Sequence, residues 1–275
     1  LKIYTFLIYY NNLTIYMSGN YFNKIKLSYY ILKFNIIRNT RFSHKNFINY
    51  KQFKELNVNK ILKELKTNGY SIIENYLNPV ECEQIRNKIN EVIHQRKEEI
   101  WSDNLQSDKR IFGFNHVCEL SKKFFFCSEI LKLVNLYMHC KMESIFTMAN
   151  KLNYVSQNKG SGGGWHRDSI TPIVKSMVYL VDVDTDVGPF EIIKDSNKFA
   201  NILLDNEKMN NKLLLNTRFS EEQVKKINNF AERLVTIKGS KGSLIIFDGS
   251  NLHRGKPIKK MLGMQLRTIT FQLEK

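Results

Sequence analysis

Cysteine is scarce in this sequence, and the positions of the few present exclude two classes of protein. The four cysteines, at positions 82, 118, 127 and 140, are far apart and form no C-x-x-C pair. This spacing argues against a zinc knuckle and against a disulfide framework, and it favours reduced, mostly buried thiols in a cytoplasmic protein. The sequence also has no run of about 18 uninterrupted apolar residues, so we predict no transmembrane helix.

Acidic side chains are outnumbered by basic ones, which raises the question of an anionic partner. The chain carries 42 Lys and Arg against 26 Asp and Glu, with a formal net charge of +16. Such an excess would suit phosphate-bearing partners, but it also fits a solvated, lysine-rich surface in a chain biased toward Lys, Asn, Ile and Tyr. No run of five basic residues and no nucleic-acid-binding motif accompanies the charge. We therefore favour the solvated surface and predict no specific nucleic-acid partner.

The first 55 residues have no clear structural pattern. Short apolar clusters are broken by Asn and Lys, and neither a basic start nor a small-residue cleavage site marks a signal peptide. We therefore divide the chain into an N-terminal extension at 1–55 and one domain at 56–275. The first methionine is Met17, and we expect the residues before it to be translated upstream sequence. Mass spectrometry of the native protein would test this hypothesis.

Helix signals dominate the first part of the domain. Asn57 and Gly69 are placed to cap the two ends of a short helix with an apolar stripe. The run Asn78-Pro79-Val80-Glu81 predicts the start of another helix, with a capping residue, a proline at the first position and a reciprocal glutamate. An irregular stretch is expected at 108–113, followed by a helical pattern at 120–138.

The hydrophobic period changes to that of strands from about residue 144. Short apolar runs joined by turn signals indicate an antiparallel sandwich or barrel, so we predict a mainly β fold with flanking helices (α+β). A capping box at Ser220-Glu221-Glu222-Gln223 indicates a helical insertion near 219–233. The strands are expected at 71–77, 145–148, 152–155, 178–183, 191–193, 234–237, 242–248 and 264–273.

The stretch Gly162-Gly163-Gly164-Trp165-His166-Arg167-Asp168-Ser169 contains the residues best suited to chemistry. Residues two apart in a strand point to the same face, so His166 and Asp168 would present an imidazole and a carboxylate together. Far downstream, His253 follows a buried strand and offers a third ligand. Two histidines and one carboxylate, with open positions opposite, suit non-haem Fe(II). His-x-Asp alone is a weak signal, because a single histidine is more often a surface or hydrogen-bonded core residue.

The glycines before this pair suggest a phosphate-binding loop at first. The loop lacks the G-K-[ST] ending of a P-loop, however, and it leads into His166 rather than into a helix. We interpret Gly160 to Gly164 as a segment whose backbone approaches the site closely, where side chains would clash. Lys175 and Tyr179 follow soon after and could line the same pocket, although a structural placement explains them equally well.

Two arginines could hold an anion. In the last strand, alternation places Arg267 on the same face as Ile269 and Phe271, a face that is expected to be buried. A buried guanidinium needs an anionic partner, either a dicarboxylate co-substrate or a protein Asp or Glu, and the pattern does not choose between them. For Arg110 we favour a surface charge over a contact with an anionic substrate.

Together these motifs resemble the phytanoyl-CoA dioxygenase-like family of Fe(II)- and 2-oxoglutarate-dependent oxygenases. Order and spacing agree over most of the domain. The matching segments are Leu65-Lys66-Thr67-Asn68-Gly69-Tyr70, Trp165-His166-Arg167-Asp168-Ser169, Gly188-Pro189-Phe190, Gly242-Ser243-Leu244-Ile245-Ile246-Phe247-Asp248, His253-Arg254-Gly255 and Arg267.

The resemblance implies a double-stranded β-helix, a jelly-roll barrel of the cupin type. It implies that His166, Asp168 and His253 ligate iron, and that Arg267 pairs with the C5 carboxylate of 2-oxoglutarate. Halogenating relatives carry a small residue in place of Asp168, so hydroxylation is implied. This chain departs from many relatives in two places. It has Asp195-Ser196-Asn197-Lys198 where they have Gly-Ser-His-Lys, and its spacing of 14 residues from His253 to Arg267 is longer than usual.

The implied function is a dioxygenase that hydroxylates a small organic substrate and releases succinate and CO2, with ascorbate in support. Two other hypotheses stay open. One is a non-catalytic barrel that binds anionic partners through its basic surface, although such a module would have little need of a complete triad. The other is a zinc hydrolase, for which no general base is evident near the metal. The sequence does not identify the substrate.

Overall fold

The computed structural model describes residues 52–96, 100–125, 127–139, 143–211, 216–259 and 263–271, with 125, 143–146 and 263–271 described through their backbone alone. Most of the predicted extension at 1–55 therefore lies outside the described residues, as does Cys140. The other three cysteines, Cys82, Cys118 and Cys127, are free and buried, as their spacing predicted.

Seven α-helices lie within the described residues. They are α1 (Val58–Asn68), α2 (Pro79–Gln95), α3 (Glu119–Phe125), α4 (Ser128–Met138), α5 (Phe199–Lys208), α6 (Glu221–Val224) and α7 (Phe230–Arg233). The predicted caps of the first two are confirmed. Asn57 accepts a hydrogen bond from the backbone of Lys60, and Gly69 ends α1 in the left-handed conformation. Asn78 and Glu81 form a reciprocal capping box at the start of α2.

Ten strands form two antiparallel sheets in the described part of the chain. The strands are β1 (Tyr70–Ile73), β2 (Trp101–Ser102), β3 (Asp108–Phe112), β4 (Glu143–Leu152), β5 (Val174–Tyr179), β6 (Phe190–Ile193), β7 (Leu234–Ile237), β8 (Leu244–Asp248), β9 (His253–Gly255) and β10 (Gly263–Phe271). The larger sheet has the order β1-β8-β5-β10-β4-β3-β2, and the smaller one has the order β7-β6-β9.

The two sheets face each other across an apolar core. Met177 and Phe247 from the larger sheet pack with Phe190 and Ile192 from the smaller one, and the rings of Phe190 and Phe247 are 4.6 Å apart. Two facing antiparallel sheets with helices outside them are the arrangement of a double-stranded β-helix, so the predicted fold class is confirmed.

Side-chain alternation allows the larger sheet to bury both of its faces. Met177 and Phe247 point to the inner core, whereas their neighbours Val178 and Ile246 pack on the other side against α1, α2 and α4. The outer core also contains Leu65, Ile85, Ile89 and Leu133. A strand buried on both faces, such as β8, reads as a continuous apolar run. The fold therefore places β5 and β8 between a helical layer and the inner core, where the site lies.

Several predicted strands differ from the observed ones. The stretch predicted as irregular at 108–113 contains β3, because its backbone pairs with β4 even though Lys109 and Arg110 are polar. The predicted strand at 71–77 ends at Ile73, and a single β4 replaces the predicted strands at 145–148 and 152–155.

The strand predicted at 178–183 starts earlier, at Val174, and ends at Tyr179. The apolar pattern did not reveal the first half of this strand, because Lys175 and Ser176 are polar. Both residues nevertheless pair with β8.

The helical segment is larger and more broken than predicted. The capping box at Ser220 and Gln223 is confirmed. The helix does not continue through 219–233, however: α6 ends at Val224, and α7 begins only after Asn229, which takes a left-handed conformation. The structure adds α5, which the sequence did not reveal because Lys198 at its start makes no side-chain cap.

Candidate metal centre

The predicted ligands His166, Asp168 and His253 converge at one end of the inner core. One ligand atom from each lies within 4.8 Å of the other two. His253 Nε2 lies 3.4 Å from Asp168 Oδ2, and His166 Nε2 lies 3.9 Å from Asp168 Oδ1. Within the described ranges, no other group of three His, Cys, Asp or Glu residues has this geometry. The sequence therefore identified a set of side chains that the fold brings together.

Backbone pairing holds the ligands in place. His166 and His253 exchange backbone hydrogen bonds of 3.0 and 2.9 Å, and Asp168 donates its backbone N–H to Gly249 at 2.9 Å. The segment with His166 forms an isolated bridge rather than the regular strand that we predicted. The two-residue spacing still works, because an extended bridge alternates its side chains as a strand does.

Each imidazole is oriented by a backbone carbonyl. Nδ1 of His166 lies 2.8 Å from the oxygen of Gly164, and Nδ1 of His253 lies 2.8 Å from the oxygen of Asn251. A carbonyl accepts only from a protonated nitrogen, so these contacts assign the proton to Nδ1. The lone pair on Nε2 is then directed at the site, as in histidines that ligate metals.

The protonation states of the three ligands suit a cation. Burial lowers the pKa of His166 to about 4 and the pKa of His253 to about 3, so both rings are neutral at pH 7. Burial opposes the ionisation of Asp168, but neighbouring His253 and Lys175 outweigh it and lower its pKa to about 2. The centre thus offers two neutral nitrogen donors and one carboxylate without needing to lose a proton.

A buried oxygen shows that the site fits a metal ion. Asp168 Oδ2 is buried and makes no hydrogen bond within the described part of the chain. An ionised oxygen in such a place needs a positive partner, because its lost hydration is otherwise uncompensated. Two imidazole nitrogens and one carboxylate oxygen on one side form the donor set that suits Fe(II) and related divalent metals.

Lys175 contacts the centre, and Tyr179 joins β5 to the smaller sheet. Lys175 Nζ lies 2.7 Å from Asp168 Oδ1. The hydroxyl of Tyr179 donates to the carbonyl of Ile237 and accepts from the backbone of Phe190, so it ties β5 to the smaller sheet. The sequence placed both residues near the pocket without separating them. Alternation within β5 could not do so, since both residues have the same parity.

The glycine-rich loop packs against the ligands, as we interpreted it. A Cβ atom on Gly162 would lie 2.6 Å from Cε1 of His166, and one on Gly160 would lie 2.1 Å from the carbonyl oxygen of Gly255. The carbonyl of Gly162 also accepts a hydrogen bond from Arg218 at 2.6 Å. The loop is thus a fixed wall of the site rather than a phosphate cradle.

Arg167 points away from the ligands on either side of it and anchors the segment. It is 2% exposed and donates to the backbone oxygens of Ser196 and Ser250. Asp205 of α5 lies 3.7 Å from Arg167 and forms two hydrogen bonds of 2.8 Å with Arg233 of α7. This group of charges joins the segment with His166 and Asp168 to α5 and α7.

The segment Asp195-Ser196-Asn197-Lys198, where this chain differs from many relatives, supports the loops around the site rather than the metal ligands. Asn197 donates from its side chain to the hydroxyl of Tyr137 and to Asp248, each at 3.2 Å. Asp248 in turn accepts hydrogen bonds from the backbone of Ile173 and from Ser250. Asn197 therefore supports the loops around the site through local hydrogen bonds.

The structure describes the side chain of Arg110 but only the backbone of Arg267. Arg110, which we interpreted as a surface charge, is partly buried; it pairs with Asp108 at 2.6 Å and lies over the ring of Trp101 at 4.7 Å. The backbone of Arg267 pairs with Met177 of β5 and with Met148 of β4. The Arg267 side chain lies outside the described part of the structure, so its role remains a prediction.

Comparisons with known proteins agree with this architecture. A family model described as phytanoyl-CoA dioxygenase (PhyH) matches residues 65–259. The search of curated protein sequences finds no match. Among the described residues, no helix combines the length and the apolar character needed to cross a membrane.

Solved structures with the same fold include three proteins of low sequence identity. The epimerase SnoN with Fe3+ and alpha ketoglutarate is 11% identical, with 78% of this chain and 83% of that chain covered and a TM-score of 0.56. HygX from Streptomyces hygroscopicus with nickel, 2-oxoglutarate and hygromycin B is 12% identical, with coverages of 78% and 86% and a TM-score of 0.55. A Pseudomonas putida prolyl-4-hydroxylase is 13% identical, with coverages of 79% and 100% and a TM-score of 0.50.

Proposed function

Because the chain belongs to the phytanoyl-CoA dioxygenase family, we propose that it is an Fe(II)- and 2-oxoglutarate-dependent dioxygenase that hydroxylates a small organic substrate. The observation that carries this proposal is the convergence of His166, Asp168 and His253 around a buried carboxylate oxygen that has no hydrogen-bond partner within the described residues. A metal ion on that face would keep positions open for a co-substrate and dioxygen.

In this proposal the three ligands hold Fe(II), and the neighbouring residues shape its surroundings. The bound iron supplies the oxidising chemistry that couples decarboxylation of 2-oxoglutarate, with release of succinate and CO2, to attack on a C–H bond. Phe190 and Phe247 lie with their ring centroids 5.5 and 5.2 Å from that of His253, so they form an apolar wall that keeps water from the buried ligand.

The proposed partner of the distal 2-oxoglutarate carboxylate is Arg267. Its register position is opposite Met177, a residue of the inner core. Residues directly opposite each other in an antiparallel pair occupy the same face of the sheet. A guanidinium suits this role because its planar array of donors matches both oxygens of a carboxylate.

Two of the similar solved structures are described as enzymes that catalyse reactions other than hydroxylation. SnoN is described as an epimerase and SnoK as a carbocyclase, each alpha ketoglutarate dependent. The carboxylate ligand Asp168 argues against halogenation, and we propose hydroxylation as the outcome to be tested against epimerisation and ring closure. Mass spectrometry of the product distinguishes the outcomes, since hydroxylation adds one oxygen atom, epimerisation leaves the mass unchanged and oxidative ring closure removes two hydrogens.

The decisive experiment is anaerobic binding. Purified protein with Fe(II) and 2-oxoglutarate should develop the weak visible charge-transfer band of the chelate, and it should then release succinate when air, ascorbate and a suitable substrate from a metabolite panel are added. Absence of both the band and any affinity for 2-oxoglutarate would reject the enzyme in favour of a binding module.

A further inference from the structure

The two oxygens of the Asp168 carboxylate have different neighbours. Oδ1 lies 2.7 Å from Nζ of Lys175, at the distance of a strong charge-assisted hydrogen bond. Oδ2 lies 3.4 Å from Nε2 of His253 and makes no hydrogen bond among the described residues. One oxygen is therefore already held by an ammonium group, and the other lies beside the imidazole of His253.

Lys175 lies in a strand that is paired on both of its edges. It lies in β5, whose neighbours in the larger sheet are β8 on one side and β10 on the other. Its backbone is paired with Phe247 and with Ile269. Its side chain is 18% exposed, so the ammonium lies at the partly open side of the centre. A charge on a central strand can fix the orientation of its partner better than a charge on a loop can.

We propose that Lys175 is a positioning residue that holds Asp168 in one-oxygen coordination, a role that rests on the proposed function. If both oxygens of Asp168 bound the metal, the carboxylate would occupy a position that the co-substrate or dioxygen needs. The hydrogen bond from Lys175 retains Oδ1 and leaves Oδ2 for the ion. Partners of ligating carboxylates generally tune metal sites in this way.

The sign of the electrostatic effect argues that Lys175 serves geometry rather than metal affinity. An ammonium group that contacts a ligand oxygen repels a divalent cation at the same centre and weakens its binding. A residue kept for metal affinity would not carry this charge. Removing Lys175 should therefore leave the affinity for the metal unchanged or raise it, while it weakens chelation of the co-substrate. Loss of a purely structural ion pair would not weaken co-substrate binding while it leaves metal binding intact.

The test uses Co(II) and 2-oxoglutarate with Lys175→Met, Lys175→Arg and the wild-type chain. We expect Lys175→Met to bind Co(II) at least as tightly as the wild type by calorimetry. Its Co(II) absorption spectrum should change, and its affinity for 2-oxoglutarate should fall by about 10–100-fold. In Lys175→Arg, the Co(II) spectrum and the affinity for 2-oxoglutarate should both lie close to those of the wild type. Lys54→Met, which removes a lysine 2.9 Å from Glu81, is the matched control and should behave like the wild type.

Two results would overturn the positioning role. One is a Lys175→Met variant whose Co(II) spectrum and 2-oxoglutarate affinity both equal those of the wild type. The other is an unchanged Co(II) spectrum with weaker 2-oxoglutarate binding, which would assign Lys175 to direct contact with the co-substrate. If the wild type binds Co(II) but no 2-oxoglutarate, the proposed function fails, and the Co(II) spectra alone still decide the role of Lys175. Lys175→Gln gives the same comparison if the methionine variant does not fold.

Discussion

Gly249 and Asp168 fit together only because Gly249 has no side chain. A Cβ atom on Gly249 would lie 2.3 Å from Asp168 Oδ2, the oxygen nearest His253 Nε2. The backbone oxygen of Gly249 accepts a hydrogen bond from the N–H of Asp168 at 2.9 Å. Gly249 therefore constrains both the backbone and the carboxylate of Asp168. The carboxylate is thus placed by the backbone of the loop after β8, far from it in sequence.

Gly249→Ala should displace the Asp168 carboxylate and weaken Co(II) binding by about 10–100-fold, as loss of support for a ligand does. Calorimetry with Co(II) measures the effect, and circular dichroism checks the fold. The control is Gly239→Ala, where the nearest atom to the new Cβ is Ser243 Oγ at 3.0 Å, away from the ligands. Equal Co(II) affinities in the two variants would contradict the prediction.

Removing a ligand should abolish the activity altogether. We expect His166→Ala and Asp168→Ala to lose Co(II) binding and 2-oxoglutarate turnover, because two ligands cannot hold the ion against water. Succinate release and metal content after dialysis are the measurements. His94→Ala, at the end of α2, is a control that should keep both. A ligand variant with full activity would show that the metal is held elsewhere.

Arg267→Ala should mainly raise the 2-oxoglutarate concentration needed for half-maximal turnover. The reason is the loss of a charge-assisted, two-point contact with the distal carboxylate. Metal affinity should stay within a few fold, which separates this variant from the ligand variants. The matched control is Arg110→Ala, since Arg110 already pairs with Asp108. A larger 2-oxoglutarate requirement in the control than in Arg267→Ala would reverse the two assignments.

The buried charges around Asp205 should matter for stability. Asp205→Asn leaves Arg167 and Arg233 without their buried carboxylate, and we expect a loss of about 3–5 kcal/mol in the free energy of unfolding. Urea denaturation measures it. The control is Glu91→Gln, which breaks a surface pair with Lys88 and should cost less than about 1 kcal/mol. Similar losses in both variants would mean that the buried pairing contributes little.

The stability of the metal-free protein should depend on pH through the buried imidazoles. The pKa values of His166 and His253, about 4 and about 3, lie below the ordinary 6.5, so the unfolded chain binds more protons between these limits. The contribution of the two neutral imidazoles to the free energy of unfolding is therefore fully present above about pH 6.5, and it falls as the pH drops toward about 4. Urea midpoints across this range test the slope, and His253→Gln should reduce it. A midpoint with no pH dependence, or an unchanged slope in the variant, would rule this out.

The ligand triad could be predicted because its signals are short-ranged. His166 and Asp168 are two residues apart, and His253 follows a long apolar run. The contact between Lys175 and Asp168 could not be predicted, because it depends on which strands flank β5. Pairing between distant strands is set by the whole fold, and the polar residues at the start of β5 gave no apolar pattern to reveal it.

Helix boundaries could be predicted where side chains cap them. Asn57, Asn78 and Ser220 each begin a helix as expected, because each satisfies a free backbone N–H. The start of α5 after Lys198 has no side-chain cap, and its position is fixed instead by packing and by the pairing of the buried Asp205 with Arg167 and Arg233. Local sequence cannot report such tertiary contacts.

The backbone bridge between His166 and His253 also bears on how long the folded chain lasts. It joins segments far apart in sequence, and such contacts form late in folding because closing a long loop is entropically costly. An ion held across this bridge would slow unfolding more than it speeds folding. Proteases attack the opened chain, so a cell with little metal would hold less of this protein. Metal supply would then set its abundance as well as its turnover.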